Sequence, residues 1–203
     1  MRVLVACEES QRVTIAFRKL GHIAFSCDIQ ECSGGYPEWH IKDDVRNILN
    51  NNWDMLIGFP PCTYFSRMNF LNYYRGGVFN QKRFEESKPY VDLFLTLWNA
   101  NVPRICLENP VPFKLFKNIL PPYSMKFQPY EFGADYSKET CLWLKNLPPL
   151  LPTTPYGKKK RTLITTYNSF SEFKSIKEQS KLRSKTFIGV AEAMAFQWGK
   201  GGL

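Results

Sequence analysis

The chain has 203 residues and a formal net charge of +9, with 44% hydrophobic and 15% aromatic residues. This length suits one domain able to bury roughly 70% of its unfolded surface. No apolar run reaches about 18 residues, which argues against a membrane span, and Arg2-Val3-Leu4-Val5-Ala6 is too short for a secretory signal. A cytoplasmic protein is therefore expected, with its six cysteines (7, 27, 32, 62, 106 and 141) mostly reduced.

Residues 3–7 form an apolar run suited to a buried strand. Ser10 can cap a helix through Leu20, with Val13, Ala16, Phe17 and Leu20 in one stripe and Gly21 as the stop. Residues 23–27 predict a second strand ending in Asp28. Asp43-Asp44 then open a short helix carrying Val45, Ile48 and Leu49 on one face, and residues 55–59 predict a third strand. Ser87-Lys88-Pro89 begins a helix with Pro at its first position, and residues 102–107 follow as a strand. Weak strands are expected near 125–132 and 141–144, and residues 187–198 form a last apolar helix ending at Gly199. Strands alternating with helices predict an α/β, doubly wound, mostly parallel sheet with helices on both faces.

Two strand tips carry chemistry. The third strand runs into Pro60-Pro61-Cys62, and the fourth into Glu108-Asn109-Pro110. Proline fixes φ and restricts the residue before it, so Cys62 has a rigid approach. A thiol and a carboxylate at the C-terminal ends of α/β strands lie where such sheets bind ligands, and point to nucleophilic chemistry. The bland alternatives are a buried core cysteine and a capping carboxylate.

The positive charge is concentrated. Residues 155–185 hold nine lysines and arginines, including Lys158, Lys159, Lys160 and Arg161, against Glu172 and Glu178. Such a stretch suits phosphate contacts, with a solvated loop as the alternative. Residues 67–88 form a second insertion, a basic and aromatic loop expected to be mobile and to close over Cys62. A zinc site from His22, Cys27, Cys32 and His40 is not expected, because no Cys-x2-Cys pair occurs.

Pro60-Pro61-Cys62, continued by Phe65-Ser66, together with Glu108-Asn109, resemble the nucleophile motif and the Glu-Asn pair of the DNA cytosine-5 methyltransferases. The likeness is to the short forms common in phages and mobile elements. It implies a Rossmann-like class I methyltransferase core with S-adenosyl-L-methionine as cofactor. It also implies cofactor contacts from the first loop (Ala6, Cys7, Glu8, Glu9), from Asp28-Ile29 by the ribose, and from Asp44-Val45 by the adenine. Pro60 and the C-terminal Gly189-Val190-Ala191 would complete that site. Lys138 and Thr140 stand in the places of the family's paired arginines, and with Ser66, Asn109 and residues 158–161 they make up the expected target-binding set.

The family's glycine-rich first loop is here Ala6-Cys7-Glu8-Glu9-Ser10-Gln11, without glycine. S-adenosylmethionine is a cation without phosphate, so Glu8 or Glu9 could serve it by charge. First-turn helix acids are an equal alternative for both. Thr63 replaces the family's Gln, and the target-recognition domain is reduced to loops.

The resemblance implies that the Cys62 thiolate adds to cytosine C6 while Glu108 holds N3. C5 then takes the methyl, and loss of the C5 proton releases Cys62. The target cytosine must be flipped out or single-stranded. Residues 1–110 are expected to form the cofactor and catalytic core, 111–185 a reduced basic target region, and 186–203 a helix returning to the core. The partner is expected to be DNA and the protein a monomer, in the host cytoplasm if it modifies phage DNA against restriction. RNA or a free cytidine nucleotide are alternative substrates, and a non-catalytic nucleic-acid-binding protein on the same scaffold is an alternative function.

Overall fold

In the computed structural model, which describes residues 1–66, 70–154 and 185–200, the apolar runs assemble into one seven-stranded sheet. Its strands are β1 (Arg2–Ala6), β2 (Ile23–Asp28), β3 (His40–Lys42), β4 (Met55–Gly58), β7 (Arg104–Pro110), β8 (Met125–Phe127) and β9 (Thr140–Lys145). A separate antiparallel hairpin pairs β5 (Tyr74–Arg75) with β6 (Val78–Phe79). The helices are α1 (Arg12–Lys19), α2 (Phe70–Tyr73), α3 (Gln81–Trp98), α4 (Lys114–Lys117) and α5 (Ile188–Gly199).

The sheet order is β3-β2-β1-β4-β7-β9-β8. The first five strands are parallel, and β9 runs antiparallel to both of its neighbours. This is the doubly wound, Rossmann-like arrangement expected of a class I methyltransferase core. Strand order reverses between β1 and β4, so the crevice beyond their C-terminal ends is the favoured ligand position. Cys7 follows β1 there, and Cys62 follows β4. Strands β8 and β9 complete the core sheet, although the sequence places residues 111–185 in a target region.

Alternation along the strands supplies both cores. Val3, Val5, Met55, Ile57, Cys106 and Leu142 face α1 and α5 and pack on Phe17, Met194 and Trp198. Leu4, Leu56, Ile105, Leu107 and Trp143 face the other way, onto Phe94 and Leu97 of α3. An aromatic cluster extends this second core: Phe65 lies 5.1 Å from Phe116, and Phe94 lies 5.0 Å from Trp143. Fully burying one such ring contributes about 1.5–3 kcal/mol.

Three local expectations change. Ser10 does not cap α1; the Glu8 carboxylate does, accepting the Val13 N–H at 2.6 Å and the Thr14 N–H at 3.2 Å. Gln11 occupies the N-cap position in the left-handed region, at φ 57°, which lets the longer Glu8 side chain reach over the first turn. Helix α3 starts at Gln81 rather than at Ser87, because Asn80 accepts the Arg83 N–H at 3.0 Å and the packed helix runs straight through Pro89. Around residue 45 there is a single 3₁₀ turn, Val45–Asn47, instead of a helix.

Within the insertion expected as a mobile loop, residues 70–88 are folded. Gly76 and Gly77, with φ of 57° and 81°, turn the β5–β6 hairpin. Tyr73 is fully buried, its ring 5.0 Å from Phe113. Tyr74 stacks on Phe70 at 5.2 Å. Both tyrosines therefore act in packing.

Candidate active site

A crevice arises where two neighbouring strands part. The last β4–β7 partners are Gly58 and Leu107. Strand β7 continues through Glu108, Asn109 and Pro110, paired there with β9. Glu108 thus lies within the strand, not after it. In the gap, the buried Asn109 side-chain amide donates to the Pro60 carbonyl at 2.7 Å. On the other side the Phe59 N–H donates to the Ala6 carbonyl at 3.0 Å.

The chain then turns. The Phe65 and Ser66 N–H groups both close on the Cys62 carbonyl, at 3.2 and 3.4 Å. Phe65 is fully buried, its carbonyl takes the Phe113 N–H at 3.0 Å, and Ser66 bridges to Pro112. The Arg83 guanidinium lies 4.0 Å from the centre of the Tyr64 ring in the same turn. Cys62 is exposed at the tip of this braced segment. By contrast, burial pushes the Cys7, Cys27 and Cys141 thiols up to about 12, and pushes Cys106 well above its ordinary value. Those four are poor nucleophiles at neutral pH.

Glu108 sits on the face of β7 turned toward α5. The β7–β9 register sets Glu108 opposite Leu142 and Pro110 opposite Thr140, so Glu108 and Thr140 share that face. With Lys138 and Phe59 they line a cavity of about 30 Å3. Burial raises the Glu108 carboxyl above the usual range, and the nearby Lys138 charge only partly opposes it. A carboxyl held toward its acid form can donate a hydrogen bond. Thr140 is buried and its hydroxyl donates to the Lys138 carbonyl at 2.9 Å, so its direct effect is on the Lys138 backbone.

A second, larger cavity of about 270 Å3 opens at the switch point between β1 and β4. Cys7, Asp28, Ile29, Asp44 and Val45, five of the residues expected to contact the cofactor, line it. Pro61, Tyr90 and Leu93 form the wall opposite. The α3 residues carried no sequence signal, because a stripe of apolar residues on a helix reads equally well as core. Asp28 accepts the Gln30 N–H at 2.9 Å. Asp44 accepts the Arg46 N–H at 3.0 Å and pairs with its guanidinium, which holds the carboxyl below its ordinary value. Cys7 reaches this wall at φ 56°. The residue takes the left-handed turn that a glycine would adopt more cheaply, by about 1–2 kcal/mol.

Ala6 and Pro60 are buried and line neither cavity, and Glu8 and Glu9 are buried just before α1. The Glu8 carboxylate is engaged with Val13 and Thr14 and lies outside both cavity walls, so the first-turn reading fits it. Desolvation raises its carboxyl to about 7. Gly189 lies on neither wall. It packs α5 against the 3₁₀ turn Pro129–Phe132, where an added Cβ would fall 2.0 Å from the Phe132 carbonyl oxygen. Its neighbour Val190 lines the Glu108 cavity. Lys158, Lys159, Lys160 and Arg161 lie outside the described residues. Among the described residues no cluster of three His, Cys, Asp or Glu could hold a metal, and no helix is long and apolar enough to cross a membrane.

No family model matches the chain, and no curated protein matches it. Solved structures do match part of the chain. One is a putative DNA modification methyltransferase encoded within an E. coli prophage, 13% identical, covering 71% of this chain and 46% of its own, with a TM-score of 0.47. The Entamoeba histolytica methyltransferase EhMeth is 16% identical over 79% of this chain and 56% of its own, with a TM-score of 0.49. The S. pombe Dnmt2 methyltransferase is 15% identical over 88% of this chain and 57% of its own, with a TM-score of 0.44. The chain thus spans about half the length of the solved structures to which it is similar.

Proposed function

We propose that the protein is an S-adenosylmethionine-dependent methyltransferase acting on C5 of cytosine in DNA, with Cys62 as nucleophile and Glu108 as the group that holds N3. The observation that carries this reading is the Asn109–Pro60 hydrogen bond. It ties the tip bearing the exposed Cys62 to the strand bearing Glu108, across the gap where β4 and β7 part. Cys62 lines neither cavity, but this bond restrains the chain two residues before it against the residue after Glu108, which suits a two-point contact of thiol and carboxyl with one base.

The larger cavity fits the cofactor by its donor chemistry. Asp28 and Asp44 offer carboxylates at the rim, and Ile29, Val45, Leu93 and Pro61 offer apolar walls. An adenosyl group needs the second and its ribose hydroxyls the first, while a sulfonium gains from the acidic rim. The missing glycine loop costs a pyrophosphate site but not this one. When bound, the cofactor supplies an electrophilic methyl group.

The protein's own residues supply the rest. The Cys62 sulfur forms a bond to C6, and the ring's electron pair moves to C5 as Glu108 donates to N3. After C5 has taken the methyl, a base removes the C5 proton, the C6–S bond breaks and Cys62 leaves as thiolate. Lys138, beside Glu108, faces the same base. The reading favours a polymer over a mononucleotide because the net charge of +9 exceeds what one phosphate requires.

The test is trapping. DNA carrying 5-fluorocytosine cannot lose its C5 substituent, so wild-type protein with cofactor should form a stable covalent adduct that maps to Cys62. The C62S variant should form none and should transfer no labelled methyl. An adduct that persists in C62S, or no adduct with any cytosine-containing nucleic acid, overturns the assignment.

A further inference from the structure

The Glu108 cavity has a second cation that the catalytic reading does not use. Lys185 lines this cavity together with Glu108 and Lys138. It is fixed from two directions. Arg12 in α1 donates to the Thr186 carbonyl at 2.7 Å, which holds the backbone beside it. Its own ammonium donates to the Ser33 hydroxyl at 2.9 Å.

Ser33 is held in turn by Glu9. The Ser33 hydroxyl donates to one Glu9 carboxylate oxygen, and the Ser33 N–H donates to the Glu9 carbonyl at 2.7 Å. Glu9 is only 8% exposed, and its other carboxylate oxygen has no hydrogen-bond partner among the described residues. A buried carboxylate at the start of α1 thus aims a lysine, through one hydroxyl, at the cavity beyond the tip of β7. Two lysines facing one carboxyl leave this cavity cationic, which suits an anion entering with the base.

We propose that Lys185 binds the phosphate of the nucleotide whose base enters the Glu108 cavity, and that Ser33 and Glu9 are its positioning residues. The inference rests on the proposed function and assigns a residue to its target side. It also gives the β2–β3 loop a second role. The end of β2 and the start of this loop supply Asp28 and Ile29 to the larger cavity, so one continuous segment serves both sites.

The experiment measures binding of a single-stranded oligodeoxynucleotide with one cytosine, as a function of salt, alongside the 5-fluorocytosine adduct. K185Q should weaken binding and reduce the magnitude of the log–log salt slope by roughly 0.7, the loss of one phosphate contact on a single strand. K185R should restore the slope. A methylphosphonate at the target nucleotide, which removes that one charge, should erase the difference between wild type and K185Q. S33A should weaken binding in the wild-type background and not in K185Q, because it acts through Lys185. A slope unchanged in K185Q, or additive effects of S33A and K185Q, overturns the inference. If the wild type still forms its adduct in that case, the proposed function stands without it. Absence of the wild-type adduct overturns both.

Discussion

The two cavities are built in opposite ways. The larger is assembled mostly from residues 7–46, at the ends of β1, β2 and β3, closed by Pro61 and by the α3 residues Pro89, Tyr90 and Leu93. The smaller draws Phe59, Glu108, Lys138, Thr140, Lys185 and Val190 from across the chain. The first has carboxylates and apolar walls; the second pairs one shielded carboxyl with lysines. The proposed cofactor site thus comes from successive βα units, whereas the proposed target site depends on the antiparallel return of β9 and on α5 folding back. The Asn109–Pro60 bond joins the two halves.

If this division holds, variants should separate by side. The largest effect is expected from E108Q. Its amide keeps the size but cannot deliver the acid proton, so kcat should fall about 10²–10³-fold, with cofactor affinity unchanged by equilibrium titration. The raised Glu108 carboxyl also sets a pH trend. The protonated form is lost as pH rises through its elevated value, so wild-type kcat/KM should decline on the alkaline side while E108Q should lack that limb. Equal losses in kcat and cofactor binding would break the comparison.

N109A tests the joint. Loss of the bond to Pro60 should lower kcat about 10–100-fold through misplacement of Cys62, and destabilise the protein by roughly 1–2 kcal/mol in chemical unfolding. Cofactor affinity should stay within about twofold. A smaller effect on the cofactor side alone is expected from D28N, with a cofactor dissociation constant about tenfold higher, or about 1.4 kcal/mol. The alkylation rate of Cys62 by iodoacetamide should not change in D28N.

The smallest functional effect is expected from E8Q, which touches neither cavity wall. Its consequence should be thermodynamic. The Glu8 carboxyl is raised from 4.5 to about 7 in the folded protein, so the fold binds that proton more tightly than the unfolded chain does. This contribution is fully present below about pH 4.5 and is lost as pH rises through about 7. Wild-type stability should therefore fall relative to E8Q across that window, by an amount on the order of 3 kcal/mol. A pH-independent difference between the two proteins would return Glu8 to the cofactor side.

The same contrast governs what could be read from the chain. Asp44 and Val45 were marked by the family resemblance alone, whereas the positions of Asp28 and Ile29 were legible because they end or follow a local apolar run and the βα alternation fixes where such ends meet. Cys62 and Glu108 were legible for the same reason. Ser10 failed as a cap because a glutamate two residues earlier competes for the same N–H groups once Gln11 turns left-handed. The start of α3 was misplaced because Pro89 mimics a helix beginning, while tertiary packing carries the helix across it. Strand β3 has three residues, too few to show a period. Lys185 was legible only as one of the nine cations of the basic stretch, since its place in the cavity depends on Ser33, which lies far from it in sequence.

The central claim is that Cys62 and Glu108 modify cytosine at C5. Nucleoside mass spectrometry of cytosine-containing DNA, after incubation with the protein and S-adenosylmethionine, tests it most directly. The account predicts 5-methyldeoxycytidine with wild type and none with C62S. DNA left unmodified by wild type, or a methyl group placed on any other atom or base, would contradict it.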